Sequence, residues 1–528
     1  MLLTAVAQLR LAASVALGVP FAPWALDRLV DALLATRREF GAVAPAGAEL
    51  VTGAALDDAT RREAQLRRFR QQAVRGARET AYYGHRFAGL GLDPGRLTPE
   101  DLARLPLTPK VALRADPGAF VRRGAAPAFR TTTTGTTGRP TSVYFTAGEL
   151  ETTAALTAIG LLAHGQLGPA DVVQVSTSAR ATLGNTCFAR ACARIGAVWS
   201  LAGLVEPALA LAQLAEAHRV PGKKPRPSYL VVYPSYLGEL VERGLAAGYG
   251  PADFGLERIA AGGEVVTAGL KARARRLFGP VAFDEGYAQT ETWPLGGVRC
   301  AAGHLHFEPS RGLVEVLALP DAEPEALVLT APADASAPAP APAAPGTPGV
   351  VVATPFGPYR EASVVLRYAT EDVARAVAGP LACPLRHLPA TGDVLGKLRL
   401  AVRHGPGPDG WTFPRQVLEA LEAAALADAV PLPARCGVWA VPGGVAVEAL
   451  VRPGQADRVG VRRAVGAQLE AHGVPLRELR LVEDRAGLRR PLPLRGDLRE
   501  RSFAPPAGPA NGWALPAAPH GAAVPAGA

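Results

Sequence analysis

The sequence predicts an α/β protein: a large N-terminal domain of sheets covered by helices, followed by a small C-terminal α+β domain. Three observations predict it. The chain has 528 residues, more than one ordinary domain holds, and its 48% hydrophobic and 20% charged content is enough to bury large cores. From 61 to about 330, short apolar runs alternate with amphipathic ones, the pattern of sheets covered by helices. Near 390 the pattern changes to a smaller α+β rhythm that lasts to about 503.

Taken in order, residues 1–60 read as a helical extension. The region 61–392 then forms the large domain, with strand-like DVVQVSTS (171–178), a helical 186–196, strand-like SYLVVYP (228–234) and a helical 236–247. ADASAPAPAPAAPG (333–346) is an Ala/Pro insert and reads as a mobile loop. VVVATPF (350–356) and ASVVLRY (362–368) read as strands. The small domain spans 393–503, and 504–528, rich in Ala, Pro and Gly, read as a disordered tail.

The formal net charge is +9, a balance that suits nucleic acid, a membrane surface or an anionic small molecule. The densest basic run, RREAQLRRFRQQAVRGAR (61–78), carries Leu66, Phe69, Ala73 and Ala77 at helical spacing. It reads as a solvated helix with a buried stripe rather than a nucleic-acid surface, since no aromatic stacking motif or zinc-finger spacing accompanies it. Five scattered cysteines argue against a disulfide framework and for a reducing, cytoplasmic setting. The apolar N-terminus lacks a basic start and is interrupted by Arg10, so neither a signal peptide nor a membrane span is expected.

The sharpest chemical signal is RTTTTGTTGRPTSVYFT (130–146). Its glycines let the backbone turn and approach a ligand closely, while exposed N–H groups and threonine hydroxyls offer donors to phosphate oxygens. It is not the GxxxxGK[ST] loop of common nucleoside triphosphatases. It does resemble the phosphate-binding loop of adenylate-forming enzymes, with Thr133, Thr134, Gly135, Thr136, Thr137 and Gly138 in the loop positions and Thr141 where many relatives carry Lys.

Further stretches resemble the phenylacetate–coenzyme A ligase family in the same order. YYGHRFAGLGLDPGRLTPEDLARLPLTPKVALR (82–114) resembles its N-terminal segment, and YPSYL (233–237) its TPSY element. AGGEVVT (261–267) resembles the stretch whose Gly-Ala-Glu lies against adenine, which points to Gly263 and Glu264. YAQTE (287–291) resembles Tyr-Gly-x-Thr-Glu: the resemblance implies Tyr287 stacked on adenine, Thr290 at the α-phosphate and Glu291 on Mg²⁺. LRYATED (366–372) implies Asp372 on the ribose, and FPRQVLEALE (413–422) resembles the element opening the mobile C-terminal domain. A carboxylate suits a hard cation and an aromatic ring suits a purine face.

Two departures stand out. PATGDVLGK (389–397) puts Thr391 where relatives have a ribose-binding Arg, and keeps Asp393 as a hinge. PLPLRGDLRER (491–501) puts Asp497 where relatives have the Lys that meets substrate carboxylate and α-phosphate. An acid cannot replace a cation beside developing phosphate charge. Either Arg495, Arg499 or Lys397 substitutes, or the adenylation half-reaction is slow; Thr391 and Asp497 also favour a rival reading, a degenerate relative that binds nucleotide or acyl group without completing adenylation. CAAGHLH (300–306) and CPLRH (383–387) form two Cys-x₃-His groups. Some relatives carry a structural zinc in corresponding stretches; the resemblance points to Cys300, His306, Cys383 and His387, with His304 as alternate.

The function implied is ATP- and Mg²⁺-dependent activation of a small carboxylic acid, aryl or similarly compact, as its adenylate. Transfer to an acceptor follows, coenzyme A first among candidates; an amide, a carrier-protein thioester or reductive release are the alternatives. Leu183, Gly184, Asn185, Tyr236, Ala261 and Trp293 are the implied acid pocket, and Thr290, Glu291, Lys397 and Arg495 the implied catalytic set. A carrier protein and a second copy of the chain are the candidate macromolecular partners, with neither nucleic acid nor membrane expected.

Overall fold

The computed structural model describes residues 2–41, 56–133, 140–319, 341–377, 379 and 381–498. The strands among them are β1 Pro127–Thr132, β2 Ser142–Thr146, β3 Val172–Ser176, β4 Val198–Leu201, β5 Tyr229–Val232, β6 Arg258–Ala261, β7 Ala282–Ala288, β8 Gly296–Arg299 and β9 Leu305–Phe307. They continue as β10 Gly312–Ala318, β11 Pro348–Pro355, β12 Tyr368–Ala376, β13 Ala390–Lys397, β14 Val402–Arg403, β15 Trp411–Thr412, β16 Cys436–Val441, β17 Gly444–Leu450 and β18 Leu476–Val482.

A large mixed sheet runs in the order β10-β11-β12-β13-β9-β8-β7-β6-β5-β3-β4. The strands from β4 to β6 pair in parallel; β3 is buried along its whole length, Gln174 and Ser176 included, and β5 is apolar throughout, as a sheet covered on both faces requires. β7 belongs to both halves of the sheet. Its residues Ala282–Glu285 pair in parallel with β6, and Gly286–Ala288 pair antiparallel with β8. The helices Pro234–Ala246 and Ala268–Phe278 cover β5 and β6 through Leu237, Leu240, Leu270, Ala274 and Leu277.

The N-terminal helices Leu2–Leu17 and Pro23–Phe40 form a hairpin, and Val30 packs with Ala158 and Leu162 of the Ala147–Ala163 helix. The basic run lies on one helix, Asp58–Glu79, capped by Asp57 and burying Gln65, Phe69, Gln72, Ala73 and Gly76. Among the described residues no helix is long and apolar enough to cross a membrane.

After β13 a small α+β region follows. β16 and β17 form a hairpin that turns through Gly443 at φ +76°, and β17 pairs in parallel with β18 across the Arg458–Ala471 helix. Val417, Leu421, Val445, Val447, Val465 and Leu469 form its core. It abuts the large sheet's helices closely: a Cβ on Gly269 would collide with the carbonyl oxygen of Glu422.

One expectation changes, and another is described only in part. ASVVLRY is not a strand; residues 362–367 run buried but irregular, with Arg367 at φ +46°, and β12 begins at Tyr368. The Ala/Pro insert is held where described: Ala318 N–H donates to Ala341 O at 2.8 Å and Ala343 N–H to Val316 O at 2.9 Å. Residues 333–340 and the tail 504–528 lie outside the described residues.

Candidate active site

In a parallel sheet, backbone N–H groups and loops converge beyond the carboxyl ends of the strands, and ligands bind there. The loops after β6 and β7 meet β12, β13 and the segment 492–495 around a cavity of about 360 Å³. Its wall contains eight cationic residues, Lys110, Arg114, Arg180, Arg299, Lys397, Arg399, Arg415 and Arg495, against five acids, Glu264, Glu285, Glu291, Asp372 and Asp393. That excess suits a polyanion.

Glu291 follows β7 and is buried at 2% exposure. Its Oε1 sits 3.0 Å from Lys110 Nζ and accepts a hydrogen bond from the Tyr368 hydroxyl at 3.0 Å. Burial raises the carboxyl's pKa, but the Lys110 charge and hydrogen bond outweigh it, with Lys397 adding, and hold it at about 2. Glu291 is therefore a carboxylate at any working pH, as a hard-cation ligand must be. Asp372 gathers a second cluster. Lys397 Nζ lies 2.7 Å from its Oδ1, while Tyr287 OH donates to Oδ2 at 2.9 Å and Gln289 Nε2 also donates there. The preceding residue, Glu371, has φ +62°, an unfavourable conformation for a side chain with a Cβ, and it lies at a bulge in the β11–β12 ladder. Burial lowers the pKa of Lys397 and, with Asp372, raises that of Tyr287 well above the usual phenol range.

The opposite wall is the C-terminal segment. Glu264 Oε1 accepts from the backbone N–H of Arg495; Oε2 accepts from Ser235 N–H at 3.0 Å and its hydroxyl at 2.6 Å. Ser235 Oγ in turn accepts from Gly496 N–H at 2.8 Å. The Arg495 guanidinium lies over the Tyr233 ring, 5.2 Å from its centroid, and over Gly263, where a Cβ would come within 3.0 Å of Cζ. Gly263 at φ +84° thus serves both the turn and this approach. Asp497 faces away from the cavity, 2.6 Å from Arg435 Nη1 and 2.9 Å from Arg485 Nη2. The cation of this segment that lines the cavity is Arg495.

The cavity thus brings together Thr133, Leu183, Gly184, Ala261, Gly263, Glu264, Tyr287, Thr290, Glu291, Trp293, Asp372, Lys397 and Arg495. Two implied pocket residues are not part of it. Asn185 accepts from Thr177 Oγ1 at 2.7 Å and donates to Ser178 O at 3.2 Å, holding its own loop. Tyr236 is fully buried with its hydroxyl on Val205 O at 2.6 Å, so Tyr233, one turn earlier, is the tyrosine that meets Arg495. Thr134, Gly135, Thr136, Thr137 and Gly138 lie outside the described residues, as does Arg499. The hairpin that carries the loop is described: Thr133 N–H donates to Thr141 O, and Thr141 N–H to Thr133 Oγ1, both at 3.0 Å. Thr391 is buried in β13, and Asp393 is salt-bridged to Arg299. Sequence reasoning missed Lys110, Gln289 and Tyr368, although each stands inside a motif it used.

A separate group joins Cys300, His304, His306 and Cys383, whose ligand atoms all lie within 4.8 Å of one another. His304 is the fourth member, in place of His387, which stands outside the group. Cys300 Sγ is 3.7 Å from His304 Nδ1, and Cys383 Sγ is 3.4 Å from His306 Nε2. The set joins the β8–β9 turn to the segment leading into β13. Two thiols and two imidazoles at this spacing fit a tetrahedral structural zinc.

No family model matches this sequence, nor does any curated protein. By structure the chain is similar to 2-hydroxyisobutyryl-CoA ligase in its postadenylation state with R3-HIB-AMP: TM-score 0.63, 17% identity, 83% of this chain and 88% of that one. It is also similar to that ligase in complex with 2-HIB-AMP and CoA in the thioesterification state, at TM-score 0.52, 18% identity, 81% of this chain and 87% of that one. An open conformation of the same ligase gives 0.53 at 17% identity, over 80% and 88%. The chain therefore has the fold of the adenylate-forming acyl-CoA ligases.

Proposed function

We propose that this chain activates a carboxylic acid with ATP and passes the acyl group to a thiol, coenzyme A being the favoured acceptor. The observation that carries the reading is the single cavity in which Thr133, Gly263, Tyr287, Glu291, Asp372, Lys397 and Arg495 meet on the fold of adenylate-forming ligases. Tyr287 presents a ring for adenine, Asp372 an acceptor for ribose hydroxyls, and Thr133, which follows β1, a hydroxyl for phosphate oxygens. The substrate carboxylate attacks the α-phosphorus in line; the bond to the bridging oxygen breaks and pyrophosphate leaves. A thiolate then attacks the acyl carbon and AMP departs. Holding reactants in line and neutralising charge is most of what the protein contributes. Arg495 and Lys397 are placed for that neutralisation. Mg²⁺ would be held by Glu291 and would screen the phosphate charge. Zinc would be held by Cys300, His304, His306 and Cys383 and would brace the loop before β13.

The acid end of the cavity supports a compact, aryl-type substrate of the phenylacetate ligase kind. Leu183, Gly184, Ala261 and Trp293 line it, and the indole N–H of Trp293 is buried without a partner, a donor for one acceptor on the acid. The better match to the postadenylation than to the thioesterification structure supports the small region sitting in its adenylate-forming position. The test is acid-dependent exchange of pyrophosphate into ATP over a panel of aryl and short-chain carboxylates. Exchange with at least one acid is expected; ATP binding without exchange across the panel makes the chain a nucleotide-binding relative instead.

A further inference from the structure

The basic run 61–78 has no part in the adenylation cavity, yet it builds a second one. A cavity of about 510 Å³ lies between the Asp58–Glu79 helix and the turn that ends the Leu2–Leu17 helix, and it shares no lining residue with the first. Arg67, Arg68, Arg70 and Arg75 line it, with Gln72 and Gly18, and no acidic residue contributes to its wall.

Three of these side chains are fixed in place. Arg68 donates to Val15 O at 2.8 Å and Gly357 O at 2.6 Å, Arg70 to Leu97 O at 2.6 Å, and Arg75 to Gly18 O at 2.8 Å. All of those acceptors are neutral carbonyls, so the guanidinium charges are oriented but not compensated. Burial, then neighbouring arginines, bias Arg68 and Arg75 against their charged forms, although acidic groups outside the wall partly offset this. Three buried donors have no acceptor: Arg68 Nε, Arg75 Nη1 and Nε2 of Gln72, a side chain only 2% exposed. Buried donors are ordinarily paired, and several unpaired around one cavity mark a place for an acceptor-rich group.

We propose that this cavity is a binding site for a compact polyanion carrying a diphosphate or two phosphoryl groups. Guanidinium forks match tetrahedral oxyanions in bidentate geometry, and four of them require more than one negative charge. Because Arg68 and Arg75 also hold the carbonyls that end the first helix, an occupied site ties the N-terminal hairpin to the body of the protein. The inference does not depend on the adenylation reading.

The experiment is calorimetric titration of the full chain at low salt with inorganic pyrophosphate, inorganic phosphate and adenosine 3′,5′-bisphosphate. The last two arms separate a free phosphate from a nucleotide-borne one. Arg67 is exposed, so Arg67→Glu and the milder Arg67→Gln are expected to fold as wild type does, checked by melting temperature. The expected result is pyrophosphate binding that weakens tenfold or more in Arg67→Glu and several-fold in Arg67→Gln, with ATP affinity unchanged. The same binding event should persist in Arg495→Ala, and salt should weaken it as charge screening dictates. Equal pyrophosphate affinity in wild type and both Arg67 variants overturns the proposal. So does a failure of all three anions to bind at any site other than the one ATP occupies.

Discussion

The two walls of the cavity beyond β6 and β7 are built on different principles. The wall from the large sheet is cross-linked side chain to side chain: Glu291 with Lys110 and Tyr368, Asp372 with Lys397, Tyr287 and Gln289. The wall from the C-terminal region is gripped by its main chain, through Glu264 and Ser235 to the N–H groups of Arg495 and Gly496. In the first wall a proposed catalytic group and its support are the same residue. In the second they are separate, and the Arg495 guanidinium is free to be chosen for its chemistry. The difference teaches where substitutions are costly: on the sheet side they cost stability and rate together, on the other side one without the other.

The largest effect should follow Glu291→Gln. Losing a metal-directed charge in a buried site should slow acid-dependent exchange by roughly 10²-fold or more. It also leaves Lys110 buried without its counter-ion, which should cost about 3 kcal/mol by denaturant unfolding. A rate loss with unchanged stability would break the comparison.

Next come Arg495→Ala and Asp497→Lys, which should separate rate from stability. Arg495→Ala should lower exchange by roughly 10- to 10²-fold with little change in stability. Asp497→Lys sets a cation against Arg435 and Arg485, so it should cost about 3 kcal/mol and raise exchange not at all. A rise in exchange would mean that Arg495 does not fill the cation's place.

Glu422 tests the joint between the walls. Its carboxyl accepts from the Thr267 hydroxyl at 2.5 Å and from Ala434 N–H at 3.0 Å. Burial pushes its pKa from 4.5 up to about 7, against those hydrogen bonds and Arg273, with Glu419 adding to the rise. The folded protein thus holds this proton more tightly than the unfolded chain. The contribution is complete below pH 4.5 and is lost as pH rises through 7, on the order of 3 kcal/mol from the size of the shift. Glu422→Gln mimics the protonated form and should flatten the melting profile between those pH values; an unchanged slope would assign it to other groups.

The smallest effect tests the brace behind the sheet wall. Purified protein should carry about one zinc per chain, and chelation should lower the melting temperature by several degrees. His304→Ala should lose the metal and His387→Ala should keep it. The reverse result would restore the pairing read from the two Cys-x₃-His groups.

Much of the sheet wall was legible in the sequence because its residues sit in short, ordered motifs. Tyr287, Thr290 and Glu291 share one segment leaving β7, and Asp372 follows a recognisable Arg-Tyr pair. What the motifs could not convey is which residue answers them from elsewhere in the chain. Lys110 lies 181 positions before Glu291 and meets it only through packing of the Lys110–Ala115 helix. Tyr236 and Tyr233 differ by one helical turn, and only packing decides which one meets Arg495 and which one turns to Val205. His304 and His387 are equivalent by spacing; the strand pairing of β9 with β8 places the first beside Cys300. The α/β class was readable from apolar alternation, whereas ASVVLRY has strand composition and lost its regularity to the left-handed turn at Arg367.

The grip of Glu264 and Ser235 on two backbone N–H groups has an evolutionary consequence. Every residue but proline presents the same N–H, so the contact of Glu264 with the backbone at 495 does not depend on which side chain stands there. A lineage can therefore gain a cation at 495 and turn a position two residues on to an internal salt bridge, such as Asp497 with Arg435, without passing through a misdocked ancestor. Position-by-position comparison would score such a move as the loss of a lysine, although the charge would lie only two residues away along an anchored ribbon.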